Sequence, residues 1–252
     1  MSASRKLVSA LLLSALCATT VHAADLYDAA VKNPARSAND VKRDALDHPA
    51  EVLRVAGIQP GMKVADILAG GGYYSELASY VVGPTGHVMM INNAAFDGWS
   101  PGWPKRVEKN RLPNVEHKTV NLDHMGLGTN TFDAVLLVKV YHDLYWVDPK
   151  GDWPKIDVKS TLDQIVAALE PGGKLVLVDH SAKAGSGSSA ASPLHRIDEA
   201  FARKDFESRG LELVAHSDVL RQPEDERELL SYDGPGLNHT DRFVLVFRKK
   251  AS

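Results

Sequence analysis

The chain has 252 residues, of which 44% are hydrophobic and 24% charged, and its formal net charge is −3. These values are ordinary for a globular protein, and they exclude wholesale disorder, a collagen-like repeat and a membrane protein with several spans. The slightly acidic balance argues against a nucleic-acid binder with a basic surface. The one cysteine, Cys17, excludes a disulfide framework and a zinc site built from cysteines.

The first residues have the pattern of a secretory signal peptide. Arg5 and Lys6 form a short positive region, and an apolar stretch follows over residues 7–18. This stretch is too short to span a bilayer but has the length of a signal core. Small residues near its end predict cleavage after Ala23, with an uncleaved anchor as the alternative. We therefore expect residues 1–23 to be removed and the protein to be periplasmic or secreted, without membrane insertion.

The rest of the chain, residues 24–252, alternates predicted helices and strands in a single domain. Residues 24–40 are predicted as an irregular N-terminal arm, and residues 41–56 as a helical stretch that Pro49 interrupts. Later helices are predicted over residues 74–82, 105–111, 160–169 and 195–210. Strands are predicted over residues 63–69, 87–92, 115–122, 132–140, 174–179, 211–215 and 242–248. This alternation predicts an α/β fold with a mostly parallel sheet, whose last two strands can pair as an antiparallel hairpin.

A glycine-rich turn follows the first predicted strand. Asp66 lies late in that strand, and Gly70, Gly71 and Gly72 lead into a helix. Glycines allow a tight turn and a close approach of the backbone to a ligand, and the N–H groups at a helix start are free to bind one. In a doubly wound sheet this turn lies at the carboxyl edge, where ligands bind. The alternative is a plain strand-to-helix turn.

The order of four segments resembles the class I S-adenosylmethionine-dependent methyltransferases. These segments are the acidic residue with its glycine loop (64–73), a Gly-x-Val strand (86–92), a Phe-Asp-Ala-Val strand (132–137) and a Pro-Gly-Gly turn into a strand (171–175). Within that class the chain is similar to exported methyltransferase-like proteins of bacteria, through His-Arg-Ile-Asp at 195–198 and Thr-Asp-Arg-Phe-Val-Leu at 240–245. The resemblance implies a doubly wound, Rossmann-like sheet of seven strands with the last strand antiparallel.

The same resemblance implies S-adenosylmethionine as the cofactor. The residues that would contact it lie at or just after the ends of the first four strands: Asp66, Ala69, Gly70, Gly71, Gly72, Asn92, Asp123 (or Asn121) and Lys139 with Val140. The first five would face the methionine part, Asn92 the ribose, Asp123 the adenine and Lys139 the sulfonium. Two positions depart from the family pattern, because Leu68 stands at the first glycine and Asn92 replaces a carboxylate. An amide oxygen accepts from a hydroxyl without the charge assistance of a carboxylate.

Histidines and acids follow the fourth and fifth predicted strands. Tyr141, His142 and Asp143 come after the fourth strand, and Asp179 and His180 end the fifth. A methyl acceptor usually loses a proton as it attacks, and a histidine near its ordinary pKa can take that proton. We therefore predict His142 as the general base, with Tyr141 and Asp143 shaping the pocket.

The same edge could hold a divalent metal ion instead. Asp143, Asp179, His180 and His195 are suitable ligand types, but no closely spaced ligand motif is present. A metal is therefore the less favoured interpretation, and its ligand set is left open. A structural, hydrogen-bonded role is the alternative for each histidine.

We thus expect an enzyme that transfers a methyl group from S-adenosylmethionine to a small-molecule or exported acceptor. Because that cofactor is made in the cytosol, the alternative is a non-catalytic periplasmic binding protein on a repurposed methyltransferase fold, which Leu68 and Asn92 favour. A nicotinamide oxidoreductase ranks third, since Gly70-x-Gly72-x-x-Ser75 matches its glycine pattern only in part. The acceptor and the oligomeric state do not follow from the sequence.

Overall fold

The computed structural model describes residues 23–251. The predicted signal peptide, residues 1–23, therefore lies outside the described residues except for Ala23, and so does Cys17. In the described part of the chain, no helix is both long enough and apolar enough to cross a membrane.

The described residues form nine α-helices and seven β-strands. The helices are α1 (Ala23–Val31), α2 (Ala38–Asp47), α3 (Pro49–Ala56), α4 (Tyr73–Val82), α5 (Ala94–Trp99), α6 (Trp103–Val107), α7 (Val158–Ala168), α8 (Ala191–Leu194) and α9 (Glu199–Ser208). The strands are β1 (Lys63–Ile67), β2 (His87–Asn92), β3 (Val115–Thr119), β4 (Phe132–Val138), β5 (Leu169–His180), β6 (Leu211–Ser217) and β7 (Arg242–Lys249). A short 3₁₀ turn, His142–Tyr145, follows β4.

The N-terminal segment is helical, which corrects the prediction of an irregular arm over residues 24–40. Tyr27 on α1 is buried, and its hydroxyl donates to the Ile58 carbonyl oxygen over 2.8 Å. The Ser37 side chain caps α2 by accepting from the Asp40 N–H over 3.1 Å. A short helix such as α1 is held by packing rather than by its own propensity, so the local sequence does not reveal it. The predicted break near Pro49 is confirmed, because α2 ends at Asp47 and α3 begins at Pro49.

The sheet confirms the predicted fold class. Its strand order is β3-β2-β1-β4-β5-β7-β6. Strands β1 to β5 run parallel, while β7 is antiparallel to both of its neighbours, β5 and β6. The predicted pairing of the last two strands is therefore confirmed as well. The order reverses between β1 and β4, and ligands of such sheets bind at this switch point, outside the carboxyl ends of the strands.

The central strand β4 is covered on both faces. Val135 and Leu137 belong to the apolar layer on one face, and Ala134 and Leu136 to the layer on the other. All four side chains are at most 1% exposed, which explains why this strand reads as a continuous apolar run. Burial of one Val or Leu side chain contributes about 1.5–3 kcal/mol. The two layers therefore fix the strand ends from which the site is built.

Candidate functional site

In the turn between β1 and α4, residue 68 is a leucine whose backbone conformation is typical of glycine. Leu68 has a φ of +53°, in the left-handed region. This conformation costs a non-glycine residue about 1–2 kcal/mol. The Leu68 side chain is 2% exposed and packs in the larger apolar layer, so burial offsets the strain. Leu68 therefore adopts a backbone conformation that a glycine at this position would adopt without strain.

Asn92, at the end of β2, holds the glycine turn. Its Oδ1 accepts from the Gly70 N–H over 2.9 Å, and its Nδ2 donates to the Gly70 carbonyl oxygen over 3.0 Å. The same Nδ2 donates to Asp97 Oδ1 on α5 over 2.8 Å. The side chain is fully buried, and its hydrogen-bonding groups are taken up within the protein. The structure thus places Asn92 as a clamp on the loop, and the nearest carboxylate is that of Asp97.

The other side of the turn is covered by Arg106 from α6. Its Nε donates to the Gly71 carbonyl oxygen, and its guanidinium also pairs with Glu76 and Asp40. At Gly72, which has a φ of +77°, a Cβ atom would lie 2.8 Å from Arg106 Cδ and from Met90 Sδ. At Gly71, by contrast, no heavy atom lies within 4 Å of a Cβ position. The loop is therefore fixed at Gly72 and open at Gly71, as close approach of a ligand to the backbone requires.

Asp66 faces α4 rather than the open side of the loop. Its carboxylate accepts from the Ser75 hydroxyl over 2.6 Å and is 2% exposed. Burial raises the pKa of Asp66 to about 6, and hydrogen bonds from Ser75 only partly oppose this effect. Asp66 therefore anchors the strand to the helix that starts at the glycine loop. Asp123, predicted to contact adenine, is half-buried and accepts from the Asp157 N–H over 3.1 Å.

Lys139 follows β4 with a φ of +61°. Its Nζ donates to Asp47 Oδ2 over 3.0 Å, and Asp47 is also paired with Arg43 and Arg242. Burial, together with the Arg43 and Arg242 charges, lowers the pKa of Lys139 to about 8 even though Asp47 opposes the shift. Lys139 is thus tied to α2 while it also lines the cleft described next.

A cleft of about 620 Å³ opens at the carboxyl edge of β4 and β5. It is lined by residues from α5, from the loops after β4 and β5 and from the loop before β7: Phe96, Trp99, Lys139, His142, Asp143, Trp146, Asp148, Pro149, Lys150, Asp152, His180, Ser192, Pro193, His195, Leu230, Ser231 and Tyr232. Gly70, Gly71, Gly72 and Asn92 are not among them. The loop before β7 was not predicted to reach the site, because its sequence shows neither a helical nor a strand period.

Three predicted residues, His142, Asp143 and Lys139, meet in this cleft, whereas Tyr141 does not line it. Tyr141 is fully buried, and its hydroxyl donates to Asp205 on α9 over 2.7 Å. Burial, with the charge of Asp205 and the neighbouring Tyr145, raises the pKa of Tyr141 far above its ordinary range. The structure therefore places Tyr141 in the packing next to the cleft, and its predicted role in shaping the pocket stays a prediction.

His142 lies between two carboxylates. Its Nδ1 faces Asp179 Oδ1 over 2.6 Å, and its Nε2 faces Asp143 Oδ1 over 3.2 Å. The backbone N–H of His142 also donates to Asp179 Oδ2 over 2.9 Å. Burial alone would lower the pKa of His142, but Asp143 and Asp179 raise it to about 10. The two carboxylates thus favour the protonated ring, which in that form cannot accept a further proton.

Two further histidines border His142. His195 has a φ of +48° and faces Asp143 Oδ1 with its Nδ1 over 3.2 Å. Its ring contacts Trp146, with centroids 4.7 Å apart, and Tyr232, with centroids 4.6 Å apart. Among the described residues, His142, Asp143 and His195 form a group whose candidate ligand atoms all lie within 4.8 Å of one another.

His180 belongs to the cleft but not to that group. Its Nδ1 faces Thr240 Oγ1 over 2.7 Å. Burial, followed by the positive charges of His142 and Lys139, lowers the pKa of His180 well below its ordinary value. His180 is therefore neutral at the cleft wall. Of the four metal ligands considered from the sequence, only Asp143 and His195 belong to the group that converges.

The sheet order, the glycine turn after β1 and the cleft beyond β4 and β5 together define the fold of the class I S-adenosylmethionine-dependent methyltransferases. A solved S-adenosylmethionine-dependent methyltransferase from Aquifex aeolicus has a TM-score of 0.59 and 21% identity, covering 82% of this chain and 92% of that one. The [4+2]-cyclase SpnF has a TM-score of 0.60 and 14% identity, covering 85% of this chain and 83% of that one. The fold is therefore shared with proteins of different activity.

Among curated proteins, the chain is similar to the ubiquinone/menaquinone biosynthesis C-methyltransferase UbiE of Haemophilus ducreyi. The two are 27% identical over 128 residues, which cover 50% of this chain and 44% of the relative. The chain thus spans about half the length of the curated relatives it matches. No protein-family model matches the chain.

Proposed function

We propose that the protein is an enzyme that transfers a methyl group from S-adenosylmethionine to a small molecule bound in the cleft at the ends of β4 and β5. The observation that carries the proposal is the glycine turn after β1, beside that cleft at the same edge of the sheet. The likeness to UbiE, a C-methyltransferase by name, supports it over half of the chain. The cleft volume of about 620 Å³ suits a small ligand.

The residues of the turn fit the proposed cofactor through their backbone. Ala69, Gly70 and Gly71 are half-buried, and the space at Gly71 is open. The sulfonium of the bound cofactor supplies the methyl group. Because the side-chain amide of Asn92 is hydrogen-bonded to Gly70, we assign the ribose contact to Asp97. The Asp97 carboxylate accepts from Asn92 and from the Thr119 hydroxyl and faces His117 Nε2 over 2.9 Å, but a carboxylate has about four acceptor sites. A carboxylate there restores the charge-assisted bond that an amide at position 92 lacks.

The cluster around His142 is proposed to act on the acceptor. From the sequence, His142 was predicted as the general base, and that role stays a prediction. The two carboxylates beside its ring argue against it, since they hold the proton that a base must first lose. The arrangement supports a positioning or charge-stabilising role for His142 and Asp143, which both line the cleft.

Export is part of the proposal. The signal-peptide pattern of residues 1–23 supports a periplasmic or secreted protein that begins at Ala24. Mass spectrometry of the protein recovered from the periplasm of an expressing bacterium is expected to give the mass of the chain from Ala24 onward. A full-length mass in the membrane fraction would contradict the proposal.

The activity is tested first by cofactor binding, measured by calorimetric titration with S-adenosylmethionine and S-adenosylhomocysteine. We expect micromolar affinity, about −8 kcal/mol. The variant Gly71→Leu fills the open space above the loop and should abolish binding. Gly102→Leu is the matched control, because Gly102 lies at a helical φ of −82° with no heavy atom within 4 Å of a Cβ position.

A folded wild-type protein that binds neither compound would overturn the proposal. That outcome would favour the alternative, a non-catalytic binding protein on a repurposed methyltransferase fold. The strain at Leu68 and the occupied amide of Asn92 are the observations that favour this alternative. Equal binding by Gly71→Leu and Gly102→Leu would show that any cofactor bound lies away from the glycine turn.

A further inference from the structure

We propose that His142, Asp143 and His195 form a binding site for one divalent transition-metal ion, with Asp179 as the carboxylate that orients His142. The proposal goes beyond methyl transfer and does not depend on it. It rests on the convergence of these side chains at the wall of the cleft.

The hydrogen-bond arrangement of His142 is the first argument. Asp179 Oδ1 lies 2.6 Å from its Nδ1, so that nitrogen carries a hydrogen. A neutral His142 then offers the lone pair of its other nitrogen, Nε2, which lies 3.2 Å from Asp143 Oδ1. Two acceptor atoms this close repel each other, and a cation or a proton shared by them relieves the repulsion. A histidine that donates through one nitrogen to a carboxylate and offers the other to a metal is the common arrangement in metal sites.

The distances are the second argument. His142 Nε2 and His195 Nδ1 each lie 3.2 Å from Asp143 Oδ1. Ligand atoms about 2.0–2.1 Å from a tetrahedral zinc ion are separated by about 3.3 Å. The two nitrogen–oxygen distances therefore already match those of an occupied site, and the candidate ligand atoms all lie within 4.8 Å of one another.

Charge and burial are the third argument. Asp143 and Asp179 have side chains that are 10% and 0% exposed. Metal binding displaces the proton of His142, and with both imidazoles neutral the four side chains carry two negative charges. One divalent ion neutralises these charges in a buried environment where unpaired charges are costly. Two imidazole nitrogens and one carboxylate favour Zn²⁺ or Fe²⁺ over Mg²⁺ or Ca²⁺, which prefer oxygen ligands.

The position of the site suggests what the ion would bind. All three ligands line the cleft, so a remaining coordination position faces the space where a small molecule fits. Catalytic zinc sites keep such an open position beside three protein ligands. The ligand class is therefore a small molecule with an oxygen or sulfur donor, next to the Trp146 and Tyr232 rings that contact His195.

The test is a calorimetric titration of the untagged, chelator-treated protein with Zn²⁺ and, separately, with Mg²⁺. We expect one Zn²⁺ per chain and no measurable Mg²⁺ binding. Asp143→Asn and His195→Ala should lose Zn²⁺ affinity by more than about 100-fold, because they remove ligands, whereas Asp179→Asn should lose about 10- to 100-fold. His180→Ala is the matched control, since His180 lines the same cleft but faces Thr240, and it should keep the wild-type affinity.

The wild-type protein gives a second readout in case a ligand variant does not fold. In nuclear magnetic resonance spectra, Zn²⁺ should shift the imidazole signals of His142 and His195 and leave those of the exposed His216 and His239 unchanged. Absence of Zn²⁺ binding, or shifts confined to the exposed histidines, would overturn the proposal and leave a proton between His142 and Asp143. Neither experiment contains S-adenosylmethionine. A failure of the metal-site proposal can therefore be distinguished from a failure of the proposed methyl transfer.

Discussion

The two halves of the carboxyl edge are built in opposite ways. In the glycine-turn half, the polar groups satisfy one another: Asn92 holds Gly70, and Arg106 holds Gly71. In the histidine half, the polar side chains of His142, Asp143 and His195 line an open cleft. The first half has a recognisable sequence motif, whereas the second half holds the histidine and carboxylate side chains that can act on a ligand. A motif therefore marks where a loop is held rigid, and this need not be where the reactive groups meet.

This contrast predicts that the two halves can be inactivated separately. His142→Ala should reduce turnover by more than about 100-fold, the scale of one acid–base or positioning group, while cofactor affinity stays unchanged. Turnover is measured as S-adenosylhomocysteine formed with an acceptor found by screening, and affinity by calorimetry. His216→Ala, at an exposed position on β6, is the control. Undiminished turnover in His142→Ala would remove the histidine cluster from the reaction.

The clamp in the glycine-turn half has a large expected effect on stability. Asn92→Ala leaves the N–H and the carbonyl oxygen of the half-buried Gly70 without their partner, and an unsatisfied group costs about 1–3 kcal/mol when it is buried. We expect the free energy of unfolding to fall by about 2–4 kcal/mol in urea titrations. Asn121→Ala should cost much less, because Asn121 is exposed and accepts from the Asp123 N–H alone. Equal losses in the two variants would contradict the role of Asn92 as a clamp.

Asp66 should make the glycine-turn half sensitive to pH. Its folded-state pKa is raised from 3.8 to about 6, so the folded protein binds the proton more tightly than the unfolded chain does. The stability contributed by this group is present below pH 3.8 and is lost as the pH rises through about 6.

The variant Asp66→Asn keeps an acceptor for the Ser75 hydroxyl but does not titrate. The wild type should therefore lose stability relative to this variant over that interval, on the order of 3 kcal/mol. Urea unfolding of both proteins across the interval measures the difference. A difference that does not change with pH would mean that the Asp66 carboxylate is solvated.

Much of the fold could be predicted because it depends on local patterns. The continuous apolar run of β4, and the glycine and proline residues that separate the predicted helices and strands, predict the parallel sheet. The helix α1 could not be predicted, since its Tyr27 is held by Ile58, 31 positions away. For the site, the sequence positions of His142 and Asp143 directly after β4 predicted that both residues lie at the carboxyl edge of the sheet. The loop with Tyr232 and the clamp role of Asn92 depend on side-chain geometry that no local pattern encodes.

The smallest expected effect concerns the conformation of Leu68, which can be measured by comparing two truncations. Leu68→Ala and Leu68→Gly both empty the same buried space, and removal of a buried Leu side chain costs about 2–5 kcal/mol.

At an ordinary strand position the glycine variant would be the less stable of the two. At a φ of +53° the order should reverse, because glycine adopts the left-handed region without the about 1–2 kcal/mol that alanine incurs. We therefore expect Leu68→Gly to unfold at higher urea concentration than Leu68→Ala, with a difference of about 1 kcal/mol. The reverse order would show that the turn relaxes once the leucine is removed, so that the Leu68 side chain itself, and not the clamp by Asn92 and Arg106, sets the path of the glycine turn.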